Sequence, residues 1–261
     1  MFGSALVTKL DISLISGLND VVWRGVIEYL GAVEELSIKN CNEIRHLWES
    51  EVIASKVLVN LWNLKVEGCD NLVSLGQTEE EDYNRRSNLL TTLRMLEVIH
   101  CKNMVCCTCP YSIDKLRVEY CSSITTISLP MGGQKLKSLS IRKLKMPISK
   151  WGPQNFPASL IELYLYGDDG VSSCSQFSRL LPSSLTSLRI DGFEELQSVS
   201  MGLQHLTSLQ HLSFFFCPKM TDLPEGLLPS LLSLVIVGSP KLKERRYSPL
   251  ISYIPMKIIS L

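Results

Sequence analysis

The chain has 261 residues, of which 45% are hydrophobic and 20% charged, and its 26 basic residues balance 26 acidic ones. This composition excludes an intrinsically disordered chain, which has few hydrophobic residues and a large net charge. Zero net charge also removes the usual electrostatic argument for a nucleic acid as the partner. The apolar stretch Leu227–Val237 is interrupted by Pro229 and by serines, and it is shorter than the roughly 20 residues of a membrane span. We therefore expect no nucleic-acid partner and no membrane span.

One short pattern recurs from end to end of the chain. It has apolar residues at its first, fourth and sixth positions and, in the clearest copies, Cys at the ninth, as in Val33–Cys41, Leu61–Cys69 and Leu93–Cys101. The copies begin at residues 7, 33, 61, 93, 113, 136, 160, 185, 209 and 231. Pattern and spacing are typical of leucine-rich repeats, which have periods of about 20–29 residues.

Apolar and polar residues alternate at the centre of each copy, as in Leu64-Lys65-Val66. Such alternation indicates a short strand with one buried face. Because no single repeat closes a core, neighbouring repeats must stack. The sequence therefore predicts an α/β leucine-rich-repeat solenoid of horseshoe shape, with a parallel concave sheet and an irregular or short-helical convex side. We expect one domain, 1–261, in which residues 239–261 form a C-terminal cap.

The nine cysteines are an odd number, and five of them hold the ninth position of a repeat. A small buried thiol with a weak donor suits a turn there, and unpaired thiols favour a reducing, cytoplasmic compartment. Cys101, Cys106, Cys107 and Cys109 are close enough in sequence to suggest zinc. No second pair of Cys or His residues stands at the spacing of a zinc site, so we expect neither a metal nor a cofactor.

No phosphate-binding loop, nucleophile elbow or zinc-protease pattern occurs in the sequence. The four histidines are scattered, and none has a Ser or Cys at the spacing of a nucleophile–base pair. Repeat arrays chiefly offer extended binding surfaces. We therefore expect a protein that binds another macromolecule and is not an enzyme.

Residues that alternate with the buried pair of each strand are expected on the concave surface, in ladders across neighbouring strands. The middle repeats carry charges of both signs, which either pair with one another or contact a partner. The later repeats carry aromatic residues, which are enriched at the energetically dominant positions of protein interfaces. The candidate partner-binding residues are Arg117, Glu119, Arg142, Tyr164, Tyr166, Arg189, Asp191, His211 and Phe215.

Several segments resemble one known family. Leu64–Leu72, Leu181–Ile190 and Met220–Leu231 are similar to repeats of plant intracellular nucleotide-binding leucine-rich-repeat disease resistance proteins. Ser239–Arg246, followed by Ile254-Pro255, resembles the closing segment of those proteins. The resemblance extends over nearly the whole chain but is confined to the C-terminal repeat region of the family. We therefore interpret the chain as a fragment or a truncated gene product.

The resemblance implies a protein–protein interaction module in plant defence, located in the cytoplasm. Its implied partners are a pathogen effector or a guarded host protein and, in a full-length receptor, the nucleotide-binding domain that the repeats restrain. An alternative function is substrate recognition in a ubiquitin-ligase adaptor, whose repeats have a similar length. That class needs an F-box-like helical segment before the repeats, for which we expect no room in Met1–Thr8.

Overall fold

Five-residue strands recur along the chain, each followed by a turn and an irregular return segment. The computed structural model describes residues 7–49, 51–76, 90–129, 135–145, 148, 156–167, 170–242 and 248–260. The chain divides into two compact units, residues 1–136 and residues 137–261. The expectation that the whole chain is one domain stays a prediction.

The first unit contains a main parallel sheet and two small parallel pairs. Its elements are β1 (Lys9–Ser13), α1 (Asp20–Ile27), β2 (Glu35–Lys39), β3 (His46–Trp48), α2 (Glu51–Val57), β4 (Asn63–Glu67), β5 (Ser74–Gly76), β6 (Met95–Ile99), β7 (Cys106–Thr108), β8 (Lys115–Glu119) and β9 (Thr126–Ser128). The main sheet has the order β1, β2, β4, β6, β8. The small pairs are β3 with β5 and β7 with β9.

The second unit contains a parallel sheet whose strands follow the chain order. Its elements are β10 (Ser138–Arg142), β11 (Glu162–Tyr166), β12 (Ser187–Asp191), β13 (His211–Phe215), β14 (Ser233–Val237), α3 (Ser248–Ile251) and β15 (Met256–Ser260). Single 3-10 turns lie at Cys174–Gln176, Ser178–Leu180 and Leu228–Ser230. Within the described ranges, no helix is long and apolar enough to cross a membrane.

The long strands keep a constant relation to the repeat. Each strand before β15 starts two residues after the start of its copy, as β2 starts at Glu35 in the copy that begins at Val33. The number of residues from one long strand to the next varies, since β4, β6 and β8 begin at residues 63, 95 and 115. The prediction of an α/β leucine-rich-repeat solenoid with parallel strands is confirmed.

The core of each repeat comes from alternate strand residues and from the apolar residues on either side. In β4, Leu64 and Val66 are completely buried, and so are Leu61 before the strand and Leu72 after it. Complete burial of such a side chain contributes about 1.5–3 kcal/mol to stability. Because the buried residues of one repeat lie in register with those of the next, the core is continuous within each unit.

The helix α1 lies between β1 and β2 and, with eight residues, is the longest helix among the described elements. The side chain of Asn19 caps α1 by accepting the amides of Val21 and Val22 at 3.0 and 3.1 Å. Trp23 and Ile27 are spaced four residues apart and are buried. The indole of Trp23 donates to the carbonyl of Leu47 at 2.7 Å, and this bond ties the helix to the second repeat.

A residue with left-handed backbone follows each of the ten long strands before β15. Its φ lies between 47° and 71°. In eight of these ten residues, the amide donates to the carbonyl of the last strand residue in the next repeat, as Gly192 does to Phe215 at 2.8 Å. This turn residue is glycine in four repeats, and in the other six it is Leu14, Asn40, His100, Tyr120, Lys143 or Phe216. A left-handed residue other than glycine costs about 1–2 kcal/mol, so the hydrogen bond to the next repeat offsets a local strain.

The repeat cysteine supplies a second donor to the same carbonyl. The carbonyl oxygen of Lys39 accepts the amide of Leu14 at 3.0 Å and the thiol of Cys41 at 3.5 Å. Cys69, Cys101, Cys121 and Cys217 also donate to the carbonyl two residues before them. The thiol therefore satisfies the remaining lone pair of a buried or partly buried backbone oxygen, which is costly to leave unpaired when it is buried.

The left-handed backbone of the turn predicts that a single added methyl group destabilises the protein. Gly192→Ala is expected to lower the free energy of unfolding by about 1 kcal/mol, because φ at this position is 71°. Gly226→Ala is the control, since Gly226 has no positive φ and a Cβ there would meet nothing within 4 Å. Urea denaturation of both variants measures the difference. Equal stabilities of the two variants would contradict the role of the turn.

Candidate binding surface

The first, third and fifth residues of each long strand lie on the side of the sheet away from the core. In β11 these are Glu162, Tyr164 and Tyr166, which are half-buried, whereas Leu163 and Leu165 are buried. Because the strands pair in register, residues at the same strand position form rows across each sheet. We name this surface of each unit its ladder face.

The ladder face of the second unit carries an Arg–aromatic cluster, formed by Arg142, Tyr166, Arg189 and Phe215. The guanidinium carbon of Arg142 lies 5.0 Å from the centre of the Tyr166 ring. That of Arg189 lies 5.6 Å from the Tyr166 ring and 3.8 Å from the Phe215 ring. Arg189 reaches Phe215 because its direct neighbour on β13 is the small Ser213. Each such cation–π contact contributes about 0.5–2 kcal/mol, depending on desolvation.

Asp191 fixes the position of Arg189 within the cluster. The Nη2 group of Arg189 donates to Oδ2 of Asp191 at 2.8 Å, and only 15% of the Asp191 side chain is exposed. Asp191 lies between Tyr166 and Phe215 in its row. The Nε atom of Arg189 is buried and has no hydrogen-bond partner within the described part of the chain. The ion pair and the ring contacts therefore hold Arg189 in place, although its Nε–H group is buried without an acceptor among the described residues.

Tyr164 and His211 extend the surface on either side of β12. Burial raises the pKa of the Tyr164 hydroxyl, and nearby Glu162 raises it further, against a smaller opposite effect of a hydrogen bond with Ser187. The hydroxyl therefore stays protonated at neutral pH. His211 lies opposite Ser187 and is exposed. Tyr164, Ser187 and His211 form a polar margin beside the cluster.

The charged residues on the ladder face of the first unit largely pair with one another. The guanidinium of Arg117 donates to both carboxylate oxygens of Glu119, with distances of 2.8 Å from Nε and 3.0 Å from Nη2. It also lies 3.8 Å from Glu97 on the neighbouring strand. Lys65 pairs with Glu67 on its own strand at 2.8 Å. These contacts favour the interpretation in which the mixed charges satisfy each other.

Glu119 differs from the expectation of an exposed residue. Only 4% of it is exposed, because Arg117 covers its carboxylate and its neighbour on β6 is the buried Ile99. The carboxylate is therefore not directly accessible to a partner. Arg117 itself is exposed, so it is the accessible member of the pair.

The structure brings together most of the residues that the sequence predicts for partner binding. Seven of the nine predicted residues lie on four adjacent strands of the second unit, and Arg117 and Glu119 lie on β8 of the first unit. Ser187 and Ser213 are not among the predicted residues, although Ser187 forms a hydrogen bond with Tyr164 and the small Ser213 makes room for Arg189. The alternation of small and large residues along a row is the signal that could have identified them. Whether these residues contact a partner stays a prediction.

The cysteines that suggested zinc occupy separate structural positions. Cys101 follows β6 at the turn, Cys106 and Cys107 are in β7, and Cys109 follows that strand. Across the described ranges, no three His, Cys, Asp or Glu side chains form a group that could hold a metal ion. All nine thiols are free, and every one except that of Cys106 is buried.

Comparison with known proteins supports the leucine-rich-repeat fold but no specific function. No protein-family model and no curated protein matches the chain. A chain in the crystal structure of the yeast Rad7 and Elc1 complex is 16% identical, with a TM-score of 0.51, and the match covers 98% of this chain and 70% of that one. A leucine-rich repeat protein from Eubacterium ventriosum is 12% identical, with a TM-score of 0.23 and coverages of 96% and 78%. The first likeness shows a shared fold, and the second score is too low to add to it.

The Arg–aromatic cluster predicts that Arg189 matters for stability. Arg189→Gln is expected to lower the free energy of unfolding by about 1–2 kcal/mol. The substitution removes the ion pair with Asp191 and the cation–π contact with the Phe215 ring. Arg24→Gln is the control, since Arg24 pairs with Glu49 at an exposed site, where such a pair is worth at most about 1 kcal/mol. Thermal and urea denaturation of both variants measure the effect. A loss for Arg189→Gln no larger than that for Arg24→Gln would show that the cluster does not stabilise the fold.

Burial predicts slow reaction of the thiols with a disulfide reagent. Burial raises the pKa of the Cys109 thiol to about 12. Burial is also the main reason that the pKa of the Cys217 thiol is raised to about 11. The reactive thiolate forms of both residues are therefore scarce near pH 7. In the folded protein, an aromatic disulfide reagent should modify Cys106 first and the other eight thiols only slowly, with faster modification of Cys106 as pH rises. Denaturant should expose all nine. Rapid reaction of several thiols in the folded state would contradict this order.

Proposed function

We propose that this chain is a protein–protein interaction module, the sensor and autoinhibitory region of a plant disease resistance protein. The observation that carries the proposal is the Arg–aromatic cluster on the ladder face of the second unit. This face lies away from the core, so its Tyr and Phe side chains are not needed to fill the interior. Tyr and Arg are, with Trp, the residue types enriched at the dominant positions of protein interfaces.

The geometry of the cluster suits protein binding. Its two arginines are already stacked on aromatic rings, and Arg189 is also held by Asp191, so little side-chain entropy remains to be lost on association. The rings offer an apolar surface, while Tyr164, Ser187 and His211 provide polar groups at its margin. An apolar centre with a polar margin is the usual anatomy of a protein interface. The proposed partner is a pathogen effector or a guarded host protein.

The resemblance of the repeats to plant disease resistance proteins supports the biological setting. In a full-length receptor of that kind, the repeats would also contact the nucleotide-binding domain and restrain it. We propose a cytoplasmic location, which suits nine unpaired cysteines. We also propose that the chain is not an enzyme, because ionisable groups on its ladder faces engage each other, as Arg117 does with Glu119 and Arg189 with Asp191.

The proposal predicts the effect of removing the two tyrosines of β11. Tyr164→Ala combined with Tyr166→Ala is expected to weaken effector binding at least about tenfold, as is typical for dominant interface residues, and to abolish effector-triggered cell death. The measurement is cell death in leaf tissue that expresses the complete gene product with a panel of pathogen effectors, followed by binding assays with the active effector. Circular dichroism of the purified variant checks that it is folded.

The control removes two tyrosines that lie outside the ladder faces. Tyr29 and Tyr253 are 87% and 85% exposed, and Tyr29→Ala combined with Tyr253→Ala should leave both responses unchanged. Undiminished binding and cell death in the β11 variant would overturn the proposed surface. An F-box-like helical segment encoded upstream of Met1 would overturn the proposed role in favour of a ubiquitin-ligase adaptor, whereas a nucleotide-binding domain encoded there would support it.

A further inference from the structure

The turns that follow β6 and β8 lie directly against each other. The two strands pair residue for residue, and each chain segment reaches a cysteine two residues after its strand, Cys101 after β6 and Cys121 after β8. The residues just before these cysteines are His100 and Tyr120. Their rings are stacked with centres 4.4 Å apart and an angle of 5° between the ring planes. The close pairing of the two strands therefore continues into the turns.

The sulfur atoms of the two cysteines both lie at the end of β6. The thiol of Cys101 donates to the carbonyl of Ile99 at 3.6 Å. The thiol of Cys121 donates to the carbonyl of Glu119 at 3.3 Å and lies 3.7 Å from the carbonyl oxygen of Val98 on the neighbouring strand. The two thiols are also joined to each other by a hydrogen bond. They are therefore in direct contact across two adjacent repeats.

This geometry suits a disulfide. Neighbouring strands of a sheet are about 4.8 Å apart, and disulfides join residues whose Cα atoms are about 4.4–6.8 Å apart. The repeat before offers a comparison, because the thiol of Cys69 has hydrogen bonds with backbone groups of Asn40 and Cys41. In-register stacking alone therefore does not join two thiols. The contact between Cys101 and Cys121 is a separate feature of these two repeats.

We propose that Cys101 and Cys121 are a redox-active dithiol, which hydrogen peroxide converts into a disulfide that clamps the repeats of β6 and β8 together. Both thiols are free in the resting form. The disulfide removes their bonds to the two strand-end carbonyls, but the amides of Gly68 and His100 still donate to these oxygens at 2.9 Å. The turns therefore stay hydrogen-bonded after oxidation. The clamp does not depend on the proposed immune function.

The reaction begins at Cys121. The hydrogen bond from Cys101 lowers the pKa of the Cys121 thiol, whereas the same bond and burial raise the pKa of the Cys101 thiol. Cys121 therefore supplies the thiolate, which is the nucleophilic form. Its sulfur attacks one peroxide oxygen, the O–O bond breaks, and the departing hydroxide takes up the proton that Cys121 released and leaves as water.

The second step closes the disulfide. The sulfur of Cys101 attacks the sulfenic acid on Cys121, so that the S–S bond forms as the S–O bond breaks. The proton of the Cys101 thiol leaves with the hydroxyl group as a second water. Each sulfur has then lost one electron, and the peroxide has gained two.

Burial controls access to the dithiol. Cys101 and Cys121 are completely buried, so peroxide reaches them during local opening of the turns, and the oxidation is slow. Cys106 is more accessible, but the residue opposite it on β9 is Thr126. An oxidised Cys106 therefore has no thiol directly across that strand pair with which to form a disulfide.

Disulfide mapping after peroxide treatment tests the proposal. The reduced, folded full chain is incubated with hydrogen peroxide, its remaining thiols are alkylated in denaturant, and its peptides are analysed by mass spectrometry. The expected product links Cys101 to Cys121, and dithiothreitol should restore both thiols. The cross-link constrains the unfolded chain, so peroxide treatment should raise Tm by roughly 5 °C or more.

Two serine variants locate the effect. Cys121→Ser should abolish both the cross-link and the rise in Tm on peroxide treatment. Cys69→Ser is the matched control and should retain both, since Cys69 is also buried and also donates to the carbonyl two residues before it. Absence of the Cys101–Cys121 link in the treated wild type, a link between other cysteines in its place, or loss of the link in Cys69→Ser would each overturn the proposal. The mapping of the wild type decides the matter even where Cys121→Ser fails to fold.

Discussion

The structure depends on one backbone oxygen per repeat, the carbonyl of the last residue in each long strand. In the repeats with cysteine at the turn, this oxygen accepts an amide from the preceding repeat and a thiol from its own, as the oxygen of Lys39 does from Leu14 and Cys41. The amide comes from a residue in left-handed conformation, so the chain turns inward where it bonds to its neighbour. This arrangement fixes the strand register, and the register aligns Arg142, Tyr166 and Phe215 into one surface.

Much of the fold could be predicted because strand periodicity is a local signal. The alternation in Leu64-Lys65-Val66 identifies β4 and its buried face without knowledge of any neighbour. The left-handed turn was not predictable in the same way. A glycine such as Gly68 suggests it, but Leu14, His100 and Phe216 adopt the same conformation, against their intrinsic preference. There the hydrogen bond to the next repeat decides the conformation, and that bond exists only after the repeats have stacked.

The candidate surface shows the same division between local and non-local information. Strand alternation was enough to place Tyr164, Tyr166 and Arg189 on the face away from the core. It could not show that Arg189 spans from the Tyr166 ring to the Phe215 ring, because that reach depends on the small Ser213 on the neighbouring strand. Nor could it show that Arg117 folds back along its own strand and buries Glu119. A long side chain can contact several partners, and the space that the side chains of adjacent strands leave free determines which of them it contacts.

The uneven spacing of the strands along the sequence has an evolutionary consequence. β4 and β6 begin at residues 63 and 95, and β6 and β8 begin at 95 and 115, yet all three pair residue for residue. Insertions and deletions in the return segments therefore leave the rows of the ladder face undisturbed. Substitutions on that face, in turn, need not alter the core. A gene for such a chain can diversify in length and in recognition separately, since the two kinds of mutation fall on different parts of every repeat.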